Sequence, residues 1–554
     1  MSDAPQDQYG QPHHTQPVHG GEQAPTEWIG SDQPPADGHG ATAAAGGSGR
    51  SNGRALLLGA IVALVALLTG GAVLAVQALG GGGAQPDEAI PSTALAYARV
   101  DLDPSAEQKV NALRLLRRVP QFEEETGITS DTDDLRKRLV ELALEDDEGC
   151  ADVDYEADIE PWLGDRAGAA ALPAAEGDEP DALVVLQVTD EDAARDGLQA
   201  LQECSFVDGA AKQAGLAFVG EYALLAETQE LADAFAADAE EAPLSEDADY
   251  QADMAALDGE GIVSAWVDVD AIIDVLGKSM EDEEAAQVAA LSGLYDISSV
   301  ATSLRANSDS LELAVAADGV PAGFGAPAEA VQALPATTLF ALGFSGGSDL
   351  VDAGWAQMLD NLEQTDPGAI QNLEDVEQAT GLRLPDDLQT LFGDDFALAV
   401  DGETFGSGVD EPPSNLSAYR VGLRTSSDLA PVSDLAGRVE AALAGFIPVN
   451  LSTREADAGG SVIALNEEYA DMLAADGGLG DTENYQAAVA DPDGAALVYF
   501  FDLDRALTLY DQFATPSEAG ADEDREALEV LRAFGLSASV DGDYTKATLR
   551  LVFD

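Results

Sequence analysis

Histidine placement limits the chemistry available to this chain. All four histidines (His13, His14, His19 and His39) lie in the first 54 residues, at irregular spacings that predict no metal site. Residues 55–554 therefore lack the groups needed for Ser-His-Asp or Cys-His catalysis and for His-bearing zinc sites. No Walker loop or dinucleotide fingerprint stands in a strand–turn–helix context. We expect no enzyme activity and no cofactor, and predict no catalytic residue or metal ligand.

Carboxylates are abundant, with 104 Asp and Glu in the chain. A hydrolase that uses two carboxylates needs only two acids at the right separation, and the candidates are Asp268/Asp270 and Asp502/Asp504. Both pairs stand where a strand-like run passes into a helix-like run, and a third such place contains Asp103. Aspartate there can cap the free amides of the first helical turn. We prefer this capping interpretation, with the second Asp of each pair as the cap.

Basic residues are few, but eight of them fall between Arg99 and Arg138. Arg114, Arg117 and Arg118 are spaced to share one helix face. One hypothesis is a binding surface for an anionic partner or wall polymer. The alternative, which we favour, is an internal counter-surface for acidic residues of the same chain.

The chain has two cysteines, Cys150 and Cys204, both in loop-like contexts. If this part of the chain lies in an oxidising exterior, a disulfide between them is favoured over two free thiols.

The apolar stretch Ala55–Leu79 contains no charged residue, and the acidic pairs, arginines and cysteines described above follow it. Its 25 residues are enough to cross a membrane as a helix. Arg50 and Arg54 precede it and Asp87 and Glu88 follow, so the N-terminus is predicted to be cytoplasmic and the C-terminal region extracellular. A cleaved signal is the alternative, but the apolar run is too long for one.

Composition separates the two sides of this span. Residues 1–54 are rich in Pro, Gln and Gly and are predicted to be a disordered cytoplasmic tail, as a spacer rather than a recognition segment. The net charge of −79 excludes nucleic-acid binding. Loose association of divalent cations with the acidic surface stays open.

Landmarks in residues 90–319 recur in the same order in residues 334–554. Examples are Leu163-Gly164-Asp165 with Phe392-Gly393-Asp394, and Asp249-Tyr250-Gln251-Ala252 with Asn484-Tyr485-Gln486-Ala487. This predicts an internal duplication. The predicted domain order is a tail at 1–54, a transmembrane helix at 55–79, a Gly-rich linker at 80–89, repeat unit 1 at 90–319, a hinge at 320–333 and repeat unit 2 at 334–554.

Each predicted unit contains strands followed by helices and ends in a hairpin. In unit 1 the strands are predicted at Leu95–Asp101, Ala182–Val188 and Ile262–Val269, with a hairpin of Ser298–Arg305 and Leu311–Ala317. The expected fold class is α+β: one N-terminal transmembrane helix, then two similar units with mainly antiparallel sheets.

The segment Pro91–Pro120, with Asp101, Asp103-Pro104, Gln108-Lys109 and its three arginines, resembles a known group. It is similar to membrane-anchored proteins of high-GC Gram-positive bacteria that carry a large extracytoplasmic domain of unknown function. The resemblance implies a location in the bacterial cell envelope. It implies no catalytic or ligand-binding residue.

These observations favour a single-pass envelope protein whose outer region is a non-catalytic binding or scaffold module. Its expected partners are the cell membrane and an envelope polymer or protein. A carboxylate-based glycan hydrolase and a sensor that signals to the cytoplasmic tail are the alternatives.

Overall fold

The structure is a computed structural model, and it describes residues 83–102, 104–119, 135–144, 150, 153–174, 180–204, 214–259, 261–279, 297–320, 325–365, 367–403, 416–444, 449–513, 525 and 528–554. The predicted tail at 1–54 and the predicted span at 55–79 lie outside these residues. No helix in the described part of the chain is long and apolar enough to cross a membrane.

The described strands form one sheet in which every pair is antiparallel. Their bounds are β1 Ala96–Asp101, β2 Leu163–Leu172, β3 Asp181–Val188, β4 Gly215–Val219, β5 Tyr222–Ala226, β6 Val263–Asp268, β7 Ser299–Ala306, β8 Ser310–Asp318, β9 Thr338–Ser345, β10 Asp395–Asp401, β11 Val421–Thr425, β12 Ser452–Glu455, β13 Ser461–Ala464, β14 Leu497–Asp502, β15 Leu531–Asp541 and β16 Tyr544–Phe553. With the helices below, this confirms the α+β class and the antiparallel pairing.

Helices connect many of the strands. Their bounds are α1 Ala106–Leu116, α2 Leu135–Leu144, α3 Glu191–Cys204, α4 Gln229–Glu241, α5 Ala248–Ala256, α6 Val269–Ser279, α7 Glu329–Gln332, α8 Gly347–Thr365, α9 Pro367–Thr380, α10 Asp386–Phe392, α11 Leu429–Leu443, α12 Glu467–Ala474, α13 Glu483–Ala488 and α14 Leu503–Phe513. Short 3-10 turns occur at Pro86–Ala89, Leu244–Glu246, Leu416–Ala418 and Leu479–Asp481, and one π turn at Tyr155–Ile159.

Strand order is the same on both sides of the central β8–β16 pair. On one side follow β7, β6, β1, β2, β3, β5 and β4; on the other follow β15, β14, β9, β10, β11, β13 and β12. Every strand before the predicted hinge at 320–333 thus has a counterpart after it. The internal duplication itself stays a prediction.

The sheet has two faces because side chains alternate along each strand. We call the side of Trp266 and Phe500 the buried face and the side of Val263 and Tyr499 the opposite face. Two cores lie on the buried face. The core of the first half packs under α4, α5 and the turn at Pro86–Ala89, and that of the second half under α7, α12 and α13.

Three smaller clusters include side chains of the opposite face. Helix α3 covers β3 and β5, α11 covers β11 and β13, and α1 packs on the ends of β8 and β16 through Leu311 and Leu551. The middle of the opposite face lies between these clusters.

Candidate functional site

Arg114 lies in the last turn of α1, exposed, and its Nη1 donates to Asn111 Oδ1 at 3.3 Å. The helix ends at Leu116, so Arg117 is its C-terminal cap and Arg118 lies in the turn that follows. A role for these three arginines in partner binding stays a prediction.

The acidic pairs lie at helix starts, but the cap is the first Asp rather than the predicted second one. Asp268 Oδ1 accepts the N–H of Ala271 at 2.8 Å. Asp502 Oδ1 likewise accepts the N–H of Arg505 at 3.0 Å. Each helix begins two residues earlier than a cap at the second Asp requires, directly after the first Asp, so only that carboxylate reaches the third helical amide.

A serine replaces the predicted aspartate cap in α1. Ser105 Oγ accepts the N–H of Gln108 at 3.4 Å, because the helix begins only at Ala106. Asp103 itself lies outside the described residues.

Cys150 is buried and disulfide-bonded. The side chain of Cys204 lies outside the described part of the chain, so the predicted pairing of Cys150 with Cys204 stays a prediction. Among the residues that the structure describes, no group of three or more His, Cys, Asp or Glu side chains is arranged to hold a metal ion.

The residues that follow the predicted span are fixed on the buried face. Tyr222 Oη donates to the carbonyl of Ala84 at 2.8 Å, and Arg166 Nη1 donates to the same carbonyl at 3.4 Å. Three residues after Ala84, Asp87 Oδ2 accepts from Tyr250 Oη at 2.8 Å. Burial raises the pKa of the Asp87 carboxyl. The chain is therefore held from its first described residues, before β1 begins.

Polar side chains of the buried face also join the two halves of the chain. Asp253 accepts from Trp266 Nε1 at 2.7 Å and from Tyr544 Oη at 2.8 Å. Tyr544 belongs to the last strand, whereas Asp253 and Trp266 belong to the first half. This shared carboxylate fixes β16 against the first half.

A second shared carboxylate lies further along β16, where this strand pairs with β8. Glu312 of β8 is buried, and its Oε2 accepts from Arg550 Nε of β16 at 2.8 Å. Arg305 Nη1 and Asn307 Nδ2 donate to the same carboxylate at 3.4 and 3.2 Å. The charge of Glu312 is therefore paired inside the fold.

In the second half, Asp395 lies on the buried face under α7. Its Oδ2 accepts the N–H of Ala330 at 2.8 Å, and burial raises its pKa to about 6. Its neighbour on the sheet, Arg424, donates through Nη1 to three backbone carbonyls, those of Ala333, Leu473 and Ala475. Burial lowers the pKa of this guanidinium.

The opposite face has a different chemistry. One row of residues, each paired with the next on the neighbouring strand, crosses fifteen strands and contains only apolar side chains and one tyrosine. In strand order the row is Ile463, Leu423, Leu398, Leu342, Tyr499, Leu536, Leu549, Leu313, Leu304, Val263, Val100, Ala167, Leu186, Ala223 and Phe218.

At the middle of this face, four leucines and a valine are only half-buried, together with Thr302 and Ala547. They lie on β7, β8, β16 and β15, and none belongs to a buried cluster of the described residues. We call them the apolar patch: Thr302, Leu304, Leu313, Val315, Leu536, Ala547 and Leu549.

The same four strands place smaller or polar side chains on the buried face. In β8, Glu312, Ala314 and Ala316 are buried on one face, while Leu313 and Val315 between them are half-buried on the other, where Ala317 is buried. This reverses the usual arrangement, in which large apolar residues line the core and polar ones face water. The apolar patch can therefore offer apolar contact, and it has no group for proton transfer or metal ligation.

A family model described as "Protein of unknown function (DUF3352)" matches residues 55–410. The chain belongs to this family. No curated protein matches the chain. Membership assigns no activity, because the family's own function is unknown.

Two solved structures of TP0453 show a remote similarity. Crystal form III is 8% identical over 43% of this chain and 81% of that chain, with a TM-score of 0.21. Crystal form I is 7% identical over 43% of this chain and 80% of that chain, with a TM-score of 0.19. Scores this low carry no argument about fold or function.

The sequence analysis did not predict the apolar patch, although β8 contains a signal for it. Leu311, Leu313 and Val315 alternate with smaller or charged residues, which correctly indicates an apolar face. Alternation alone does not say that this face is the less buried one.

Proposed function

We propose that this chain is a single-pass, membrane-anchored protein of the bacterial cell envelope whose extracytoplasmic region is a non-catalytic binding or scaffold module. The apolar patch is the observation that carries the binding part of this proposal. In this proposal its half-buried apolar side chains, beside a face that buries Glu312, contact another molecule.

Membrane anchoring is proposed from Ala55–Leu79 and its flanking charges, and the envelope location from the resemblance of Pro91–Pro120. The structure adds a related observation, since Ala84 is held on the sheet by Tyr222 and Arg166. A folded region that starts so soon after the span would lie beside the bilayer.

The non-catalytic interpretation is supported by what the acidic residues do in the fold. Asp268 and Asp502 cap helices, and Asp253 and Glu312 join the two halves. In each candidate pair for a carboxylate-based hydrolase, the first aspartate thus has a structural role as a helix cap. The absence of histidine from residues 55–554 also supports this interpretation.

We also propose that the two halves of the chain are copies of one unit. The matching strand order on either side of β8–β16 supports this, as do the equivalent caps Asp268 and Asp502. In this view the apolar patch lies where the copies join, so it is built by both of them.

The anchoring is tested with two single-cysteine additions to the full chain in cells, treated with a membrane-impermeant maleimide. Ala336 is exposed, so Ala336→Cys should react in intact cells. Ser2→Cys should react only after the cells are made permeable, because the tail is proposed to be cytoplasmic. Reaction of Ser2→Cys in intact cells, or protection of Ala336→Cys there, would contradict the proposed topology.

A further inference from the structure

We propose that the exposed side of helix α1, formed by Val110, Arg114 and Arg117, contacts the anionic headgroups of the membrane to which the chain is anchored. The inference rests on the proposed membrane anchor and adds a second contact, made by the folded region itself. The three residues follow one another at spacings of four and three, so they lie on one side of α1 and its C-terminal cap. We call this side the α1 basic surface.

Ion pairing distinguishes its two arginines from the other exposed ones. In the described part of the chain the other exposed arginines are Arg195 and Arg383, and each forms an ion pair with a carboxylate, at 3.0 and 3.4 Å. No carboxylate among the described residues forms an ion pair with Arg114 or Arg117. Two such cations in a chain with a net charge of −79 favour an anionic partner from outside the fold.

An apolar side chain accompanies the two cations. Val110 is 55% exposed, the largest fraction among the exposed large apolar side chains of the described residues. The one acidic residue of α1, Glu107, lies in its first turn, whereas Arg114 lies in the last. Basic groups beside an exposed apolar group suit a bilayer surface, where the cations meet phosphates and the apolar group reaches the acyl boundary.

The position of α1 in the fold indicates that the membrane supplies the anionic group. Arg166 of β2 donates to the carbonyl of Ala84, and its Nε donates to Asp101, the last residue of β1, at 3.0 Å. Helix α1 is fixed at the end of β7, because Gln108 Oε1 accepts the N–H of Ala306 at 2.8 Å.

These two contacts lie at the same end of the sheet. Val100 of β1 pairs with Val263, which pairs with Leu304 of β7, so the ends of β1 and β7 are level. Strands β2, β1, β6 and β7 are consecutive neighbours, and three spacings of about 4.8 Å place Arg166 and Ala306 about 14 Å apart. The contacts are on different faces of the sheet, but a bilayer that lies across this end is next to both.

Chain length keeps this end of the sheet close to the bilayer. Five residues lead from Leu79, the end of the proposed span, to Ala84. At about 3.5 Å per extended residue, Ala84 lies within roughly 18 Å of the end of the span. The headgroups of the same membrane are thus the anionic groups at highest local concentration around α1.

The test uses the full chain in nanodiscs of phosphatidylcholine, with or without one part in three of phosphatidylglycerol as the anionic lipid. A fluorescent donor is attached to Ala106→Cys, an exposed position on the same side of α1, and a headgroup-labelled lipid carries the acceptor. We expect phosphatidylglycerol to increase energy transfer from position 106. The same donor on Thr93→Cys, exposed at the other end of β1, should show no increase.

The double variant Arg114→Gln/Arg117→Gln removes both charges and keeps helix preference similar. Two arginines beside an anionic surface favour the docked state about 30-fold, so this variant should lose most of the increase. The control Arg195→Gln/Arg383→Gln removes the same charge from ion-paired positions and should keep it.

A second measurement needs no arginine substitution. At about 1 M salt the screening length falls to about 3 Å, so the increase from position 106 should disappear with both arginines present. Arginines in the last turn also stabilise a helix, so a thermal melt of each variant checks its folding.

Equal transfer from position 106 with and without phosphatidylglycerol would overturn the inference and leave the anchor standing. An increase that is equal at position 93, or that persists in Arg114→Gln/Arg117→Gln and at high salt, would also overturn it, because the contact would not depend on the α1 basic surface. A chain that separates from nanodiscs of both compositions during size-exclusion chromatography would overturn the anchor and this inference with it.

Discussion

The two faces of the central sheet differ in a way that hydrophobicity alone does not explain. On the buried face, α5 and α13 lie over strands that carry small or polar side chains, such as Ala314 and Ser537. On the opposite face, the same strands carry Leu313, Leu536 and Leu549, which remain half-buried. Burial here follows the placement of helices rather than the size of the apolar side chains.

This comparison shows how the fold accommodates charge. Two buried carboxylates near the β8–β16 pair have partners, because Glu312 pairs with Arg550 and Asp253 accepts from Tyr544. Pairing keeps the cost of burying them low, since an uncompensated charge in the interior costs several kcal/mol. On the opposite face of the same strands, Leu313 and Leu549 are apolar and half-buried and have no charge to pair.

The largest expected effect compares neighbouring phenylalanines of β14. Phe500 is fully buried on the buried face, and Phe501 is half-buried on the opposite face. We expect Phe500→Ala to lower the free energy of unfolding by about 3–5 kcal/mol, because it leaves a cavity in a packed core. Phe501→Ala should cost about 1–2 kcal/mol, since less area is lost. Denaturant unfolding measures both, and equal losses would contradict the difference between the faces.

A slightly smaller effect is expected for the shared carboxylate of the buried face. Glu312→Ala leaves Arg305 and Arg550 without their carboxylate partner and should cost about 3 kcal/mol. The control Asp471→Ala removes an exposed partner of Arg454 and should cost less than about 1 kcal/mol. If both variants unfold at the same denaturant concentration, Glu312 does not stabilise the contact between the halves.

The smallest effect is a pH dependence at Asp395. Its pKa is about 6 in the folded protein and 3.8 for the ordinary group, so the folded state holds the proton more tightly. This contribution to stability is complete below about pH 4 and is lost as pH rises to about 6.

The variant Asp395→Asn isolates this contribution, because asparagine cannot ionise. We expect its free energy of unfolding, relative to the unmodified chain, to rise by about 1–2 kcal/mol between pH 4 and pH 7. Denaturant unfolding at several pH values gives the difference. A difference that does not change with pH would show that Asp395 ionises normally in the folded state.

Local sequence predicts much of the secondary structure. The predicted strand Leu95–Asp101 corresponds to β1 and the predicted hairpin strands to β7 and β8, because period-two patterns of β-branched and apolar residues depend on near neighbours only. Capping was predicted at the right junctions and at the wrong residue, since the choice between Asp268 and Asp270 depends on a two-residue difference in where the helix begins.

The sequence by itself determined strands such as β1, β7 and β8, the antiparallel α+β class, the strong negative charge and the absence of histidine chemistry beyond residue 54. Only the tertiary structure decided that β8 pairs with β16, that Glu312 is buried, and that Leu313 and Leu549 are half-buried. The physical reason is that alternation along a strand defines two faces but does not choose between them. Which face is buried depends on helices distant in sequence, and no local sequence pattern specifies the contacts that these helices make.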